Sequence, residues 1–196
     1  MVWEFIHRSF TWIQEAKQAG PWLDGTSTRG RVSKYGMTLA GVNHSSGSDS
    51  WGTPISFFDR LRDRFDFRLD ACAEPWSAKC DRFYTKDDDG LSKDWESWTW
   101  CNPPYSNILG WYRKASEEAL RGNSSAVLTF ARTDTRAFHQ YALKASEIVF
   151  LKGRLKFIDP ATKQPGNSAP APSMLVIFDS YNLGSAKFSA MSAKDI

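Results

Sequence analysis

Apolar positions recur along this chain with two periods, and the switches between them mark out its elements. Trp3, Ile6, Phe10 and Ile13 fall at helical spacing, which predicts an amphipathic helix over residues 3–18, ending near Gly20-Pro21. Residues 20–50 are rich in Gly, Ser and Thr and carry no period, so they read as a flexible linker. The folded core is expected to begin near Trp51. There Thr53-Pro54 supplies a hydroxyl cap and a first-turn proline, the signature of a helix start. Ile55, Phe58, Leu61 and Phe65 set the apolar face of that helix. A short strand is predicted over 67–71 with Asp70 at its carboxyl end, and a second over 82–85. Residues 73–80 read as a loop or short helix, and 86–90, with three aspartates in a row, as a turn.

An aromatic, β-prone run at 98–101 is followed by Asn102-Pro103-Pro104-Tyr105. Two successive prolines lack N–H donors and fix φ, so the strand must stop there. A helix then runs over about 108–121 to Gly122, and a buried strand over 125–130. Asp134 is expected to cap a helix reaching about Leu143, and 147–151 to form another strand. Segments 155–158 and 173–178 read as a closing pair of strands, joined by the Pro-, Gly- and Ser-rich loop 159–172. Strands alternating with helices predict an α/β fold: a mostly parallel sheet with helices on both faces and an antiparallel closing strand. No internal repeat is evident.

Composition narrows the picture. At 196 residues the chain has room for one domain with a real core, and 41% apolar residues exclude a disordered class. A net charge of +3 is too small to demand a polyanionic partner. The three cysteines, Cys72, Cys80 and Cys101, form no disulfide framework and match no zinc spacing, so a reducing compartment and no metal are expected. No apolar run reaches membrane length and the N-terminus lacks a signal-peptide core, which makes the cytoplasm the expected location.

The chemistry concentrates at residues 102–105. In open α/β sheets, ligands bind at the carboxyl ends of the strands. Asn102 places an amide there, Pro103 a carbonyl, and Tyr105 a ring. Such a set suits transfer to a planar amine, whose lone pair is delocalised into its ring. Two acceptors around its hydrogens favour the pyramidal form in which the lone pair is free, and these can be the Asn102 side-chain oxygen and the Pro103 carbonyl. Tyr105 can stack on the base. No catalytic base is needed, since the amine becomes acidic once alkylated.

Taken in order, the motifs resemble the phage-type Dam family of DNA N6-adenine methyltransferases. The matching segments are Trp51-Gly52-Thr53-Pro54, Leu69-Asp70-Ala71-Cys72-Ala73, Asp89-Gly90-Leu91, Asn102-Pro103-Pro104-Tyr105-Ser106, the run 131–136, the run 153–157 and the run 173–178. The resemblance implies a Rossmann-like methyltransferase sheet over 51–180, with residues 1–50 and a tail at 181–196 outside it. It implies S-adenosylmethionine as cofactor, without metal, and double-stranded DNA as partner, with the target adenine flipped out of the stack. Thr53 and Pro54 at the helix start, Asp70, the backbone of Ala71, Cys72 and Ala73, and Asp89 would hold the cofactor; Asp87 and Asp88 are alternatives to Asp89. Asn102, Pro103, Pro104 and Tyr105 would be catalytic, Tyr105 and Phe157 would stack the base, and Arg132, Arg136, Arg154 and Lys156 would contact DNA phosphates. It also implies a phage or prophage origin.

Two other readings share parts of this evidence. Protein-glutamine N5 methyltransferases carry the same Asn-Pro-Pro-Tyr and also act on a planar NH₂, but normally add a Gly-rich cofactor turn that this chain lacks after its first strand. A non-catalytic DNA-binding relative would keep the base-binding residues without turnover.

Overall fold

A computed structural model of the protein describes residues 50–194. The helix expected over residues 3–18 and the linker up to residue 49 lie outside the described residues. The elements are α1 (Ile55–Arg62), β1 (Leu69–Asp70), β2 (Arg82–Phe83), β3 (Thr99–Cys101), α2 (Ile108–Leu120), β4 (Ser125–Phe130), α3 (Arg136–Gln140), β5 (Glu147–Lys152), β6 (Ser173–Phe178) and β7 (Lys187–Ser192).

The strands form one sheet in the order β2-β1-β3-β4-β6-β5-β7. β2, β1, β3 and β4 pair in parallel, as do β5 and β7, while β6 runs antiparallel to both β4 and β5. One reversed strand in an otherwise parallel sheet is the expected Rossmann-like arrangement. β4 and β6 are buried at every position because helices cover both of their faces. α1 packs Phe57, Phe58 and Leu61 onto Trp100, Ala126, Leu128 and Leu175. On the opposite face, α2 and α3 bring Trp111, Tyr112, Ala115 and Phe138 against Cys101, Val127, Met174 and Val176.

Local chemistry explains the helix ends. Asn107 caps α2, its side chain accepting from the Gly110 N–H at 3.2 Å. Gly122, at φ 99°, supplies the left-handed residue that stops it.

Four expectations need correction. Ile55 is 59% exposed, and Phe57 takes its place on the buried face of α1. The cap of α3 is Thr135, whose hydroxyl accepts from the Phe138 N–H, not Asp134 one position earlier. Residues 155–158 do not form a strand: Leu155 and Phe157 are buried under the α1 face, and only Ile158 makes bridges, to Gly52 and Pro165. β6 therefore pairs with β4 and β5 instead. Finally, part of the stretch set apart as a tail forms β7, a strand too exposed and polar to announce itself by pattern.

Candidate active site

Because β1, β3 and β4 are parallel, their carboxyl ends share one rim of the sheet. Asp70 ends β1, Asn102 follows β3, and Ala131-Arg132 follow β4. A cavity of about 550 Å³ runs along this rim and joins Asn102 to Asp70. Thr53, Ala71, Cys72, Ala73, Asp89 and Pro104 line it as well, with Trp51, Gly90, Ser106 and Trp111 among the other walls. Pro54 and Pro103 do not line it; Pro103 is buried beneath the turn.

Asp70 is 2% exposed. Its two oxygens accept from the backbone N–H groups of Cys72 (3.3 Å) and Lys79 (3.0 Å), which tie the loop after β1 to the strand end. Burial pushes its carboxyl up to about 6, against those bonds and the nearby Lys79 charge. The Asp89-Gly90 loop presses on the same strand end. A Cβ at Gly90 would sit 2.1 Å from the Ala71 carbonyl oxygen, so only glycine fits. Of the three aspartates in this turn, Asp88 closes it by accepting from the Thr85 N–H (2.8 Å) and hydroxyl (2.7 Å). Asp89, held at φ 54°, is the one that lines the cavity.

Thr53 stands at the start of α1 but does not cap it. Its hydroxyl is buried, makes no hydrogen bond among the described residues, and belongs to a residue of the cavity wall. An unsatisfied buried hydroxyl is costly, so a polar ligand in the cavity would offset that cost.

The Asn102 amide is oriented by a backbone group. Its Nδ2 donates to the Trp51 carbonyl at 2.6 Å. A carbonyl only accepts, so the nitrogen faces Trp51, and Oδ1 accepts no hydrogen bond among the described residues. Nothing in the sequence signals this bond between groups 51 positions apart.

Tyr105 opens a 3₁₀ turn ahead of α2 and belongs to a second cavity, of about 430 Å³. Its ring lies 4.2 Å from that of Phe130 and 6.4 Å, edge-on, from that of Phe157. Phe130 lines the second cavity; Phe157 is 6% exposed and lines neither. Ser106 belongs to both cavities, so the turn 104–106 is the wall between them. The exposed Arg132 and Arg136 stand at the second cavity and make no ion pair among the described residues. Arg154, by contrast, donates to the Ala169 carbonyl at 3.1 Å, and Lys156 is exposed on the same segment. The structure thus gathers the residues expected for the cofactor, apart from Pro54, around one cavity with Asn102. Phe157 and Phe130 both belong to the core packed against Tyr105, and of the two Phe130 lines the second cavity.

A family model described as DNA N-6-adenine-methyltransferase (Dam) matches residues 42–196. A DNA N-6-adenine-methyltransferase of Haemophilus phage HP1 (strain HP1c1) is 31% identical over 166 residues, covering 82% of this chain and 95% of that protein. A DNA N-6-adenine-methyltransferase of Escherichia phage T1 is 26% identical over 156 residues, covering 78% of this chain and 66% of that one.

Proposed function

Since the chain belongs to the DNA N-6-adenine-methyltransferase (Dam) family, we propose that it methylates N6 of adenine in double-stranded DNA, with S-adenosylmethionine as donor and the target base flipped from the duplex. The observation that carries this reading is the single cavity holding the fixed Asn102 amide, the buried Asp70 carboxyl and the unpaired Thr53 hydroxyl. At about 550 Å³ it falls in the range of small-molecule sites, roughly 300–1,000 Å³. Its acids suit a ligand with amine and sulfonium groups. S-adenosylmethionine supplies an already activated methyl group.

Within that cavity Asp70 would face the cationic or ribose part of the donor, Asp89 the adenine amino group, and Thr53 the carboxylate. Asn102 Oδ1 and the Pro103 carbonyl would accept from the target N6 hydrogens, leaving the nitrogen lone pair free to attack. Flipping the base costs a few kcal/mol, which stacking against Tyr105 would help to recover. Arg132 and Arg136 would take flanking phosphates. An enzyme of this kind would act in the cytoplasm of a phage-infected or lysogenic bacterium. Labelled S-adenosylmethionine offered with duplex DNA, followed by digestion with adenine-methylation-sensitive nucleases, tests the proposal. DNA that takes up no label and gains no protection overturns it.

Two further results are expected. If a cationic donor binds ionised Asp70, affinity should fall as the carboxyl takes up a proton below about pH 6. Between pH 7.5 and pH 5 the loss should be about tenfold, with proton release on binding near pH 6. Calorimetry in buffers of different ionisation enthalpy reads both, and Asp70→Asn should flatten the profile. A wild-type profile already flat would remove Asp70 from the donor site. For DNA, Arg136→Ala should weaken binding about equally across sequences and lower the slope of log K against log salt by about 1. An unchanged slope would place this arginine off the DNA.

A further inference from the structure

The peptide that orients Asn102 is itself clamped. Next to the Trp51 carbonyl, Gly52 exchanges two backbone hydrogen bonds with Ile158, its N–H donating at 3.0 Å and its carbonyl accepting at 2.8 Å. There is no slack on either side of this bridge. A Cβ at Gly52 would meet the Trp76 ring at 2.9 Å and the Ile158 Cβ at 3.2 Å. A Cβ at Gly166 would meet the Trp51 ring at 2.9 Å. Gly166 in turn donates its N–H to the Phe157 carbonyl at 2.8 Å, and Ile158 bridges to Pro165 across the turn. The 157–166 turn therefore holds Trp51 by its ring and Gly52 by its backbone, immediately beside the group that fixes the amide.

We propose that the Trp51 carbonyl is the positioning group of the reacting amide, and that the 157–166 turn is the brace that sets it. This rests on the reading of Asn102 as the residue that accepts from N6. An amide without the brace can turn its nitrogen toward the substrate amine, and two donors then face each other in place of a donor and an acceptor. A small shift of Trp51, which also walls the donor cavity, should thus slow the chemical step far more than it loosens either substrate, since positioning contributes to the transition state more than to binding.

Gly166→Ala is the test, because it displaces Trp51 from outside both cavities. The expected result is a kcat lowered ten- to a hundredfold, with KM for DNA and donor affinity within twofold. In an Asn102→Ala background the same substitution should change residual single-turnover rates by less than twofold, since it acts through that side chain. Equal losses in both backgrounds, or an unchanged kcat, would overturn the proposal. If Gly166→Ala does not fold, the wild-type protein still decides the matter by NMR. The Asn102 side-chain NH₂ signals, identified by their loss in Asn102→Ala, should exchange with solvent at least tenfold more slowly than those of exposed Asn167. Exchange at the exposed rate would overturn it. Absence of any methyl transfer by the wild-type protein would instead fail the proposed function, leaving the NMR result to stand by itself.

Discussion

Asn102→Ala is expected to lower methyl transfer by about 10²–10³-fold while donor affinity stays within a few-fold of wild type. The size follows from what is removed. In the proposed role Asn102 Oδ1 would be a preorganised acceptor at the reacting amine, and losing one such fixed dipole typically costs about two to three orders of magnitude in rate. The separation of effects follows from the geometry. The groups proposed for the donor, Asp70 and the Thr53 hydroxyl, sit at the end of β1 and just ahead of α1, and among the described residues neither hydrogen-bonds to the Asn102 side chain. Labelled-methyl transfer at saturating DNA gives the rate, and calorimetry gives donor affinity. Parallel losses would mean that Asn102 is a donor ligand and not the acceptor for N6. Tyr105→Ala should abolish transfer by a different route. Its ring borders the second cavity beside Phe130, so the loss should appear as weaker base capture, with donor binding again spared.

Glu118→Ala should produce the largest loss of stability, about 3–5 kcal/mol. The Glu118 carboxylate on α2 is almost wholly enclosed, with 1% of its side chain exposed. Oε1 accepts from Lys114 Nζ at 2.6 Å and from Arg121 at 2.9 Å, and Oε2 accepts from Asn123 at 3.0 Å. Lys114 is itself only 10% exposed, so removing the acid leaves a buried, unpaired ammonium. Arg121, 60% exposed, loses little. Burial raises the Glu118 carboxyl, but the bonds from Lys114 and Asn123 and the adjacent cations outweigh it and hold the group below its ordinary value. A depressed carboxyl stabilises the fold above its unfolded value of about 4.5 and loses that contribution as pH falls through the lower folded value. Asp70 carries the opposite sign. Its raised carboxyl favours the fold below 3.8, and that contribution fades as pH rises toward 6. Urea denaturation at pH 7 gives the size of the Glu118 effect. A loss under 1 kcal/mol would show that Lys114 finds water when its partner goes.

Sequence pattern and structure agree where burial is uniform and part where a long-range contact decides. β4 and β6 are runs of apolar residues enclosed on both faces, so composition alone identifies them. Asn102 at the end of β3 follows from the prolines, whose missing donors end any ladder. The α3 cap was ambiguous for a local reason: Thr133, Asp134 and Thr135 are all competent, and which one caps depends on where the chain leaves β4. The 155–158 segment alternates like a strand because Leu155 and Phe157 are indeed buried, but against α1-side residues rather than across a ladder. β7 gives no signal, since Lys187, Phe188, Ser189 and Ala190 are exposed and its order comes from pairing with β5. The bond that orients Asn102 is invisible for the same kind of reason. It uses a backbone oxygen, which every residue at position 51 would supply.

The reversed strand has a consequence for how the protein comes to exist. β5 touches β4 only through β6, and β6 is made after both. A nascent chain that has emerged as far as β5 holds a four-stranded fragment and one unpaired strand, because both neighbours of β5, β6 and β7, are made later. Pairing across such sequence distances is slow, and unfilled strand edges invite other chains. Translation must therefore run past Phe178 before the sheet can zip shut, and anything that stalls the ribosome short of β6 should yield material for proteases and aggregates.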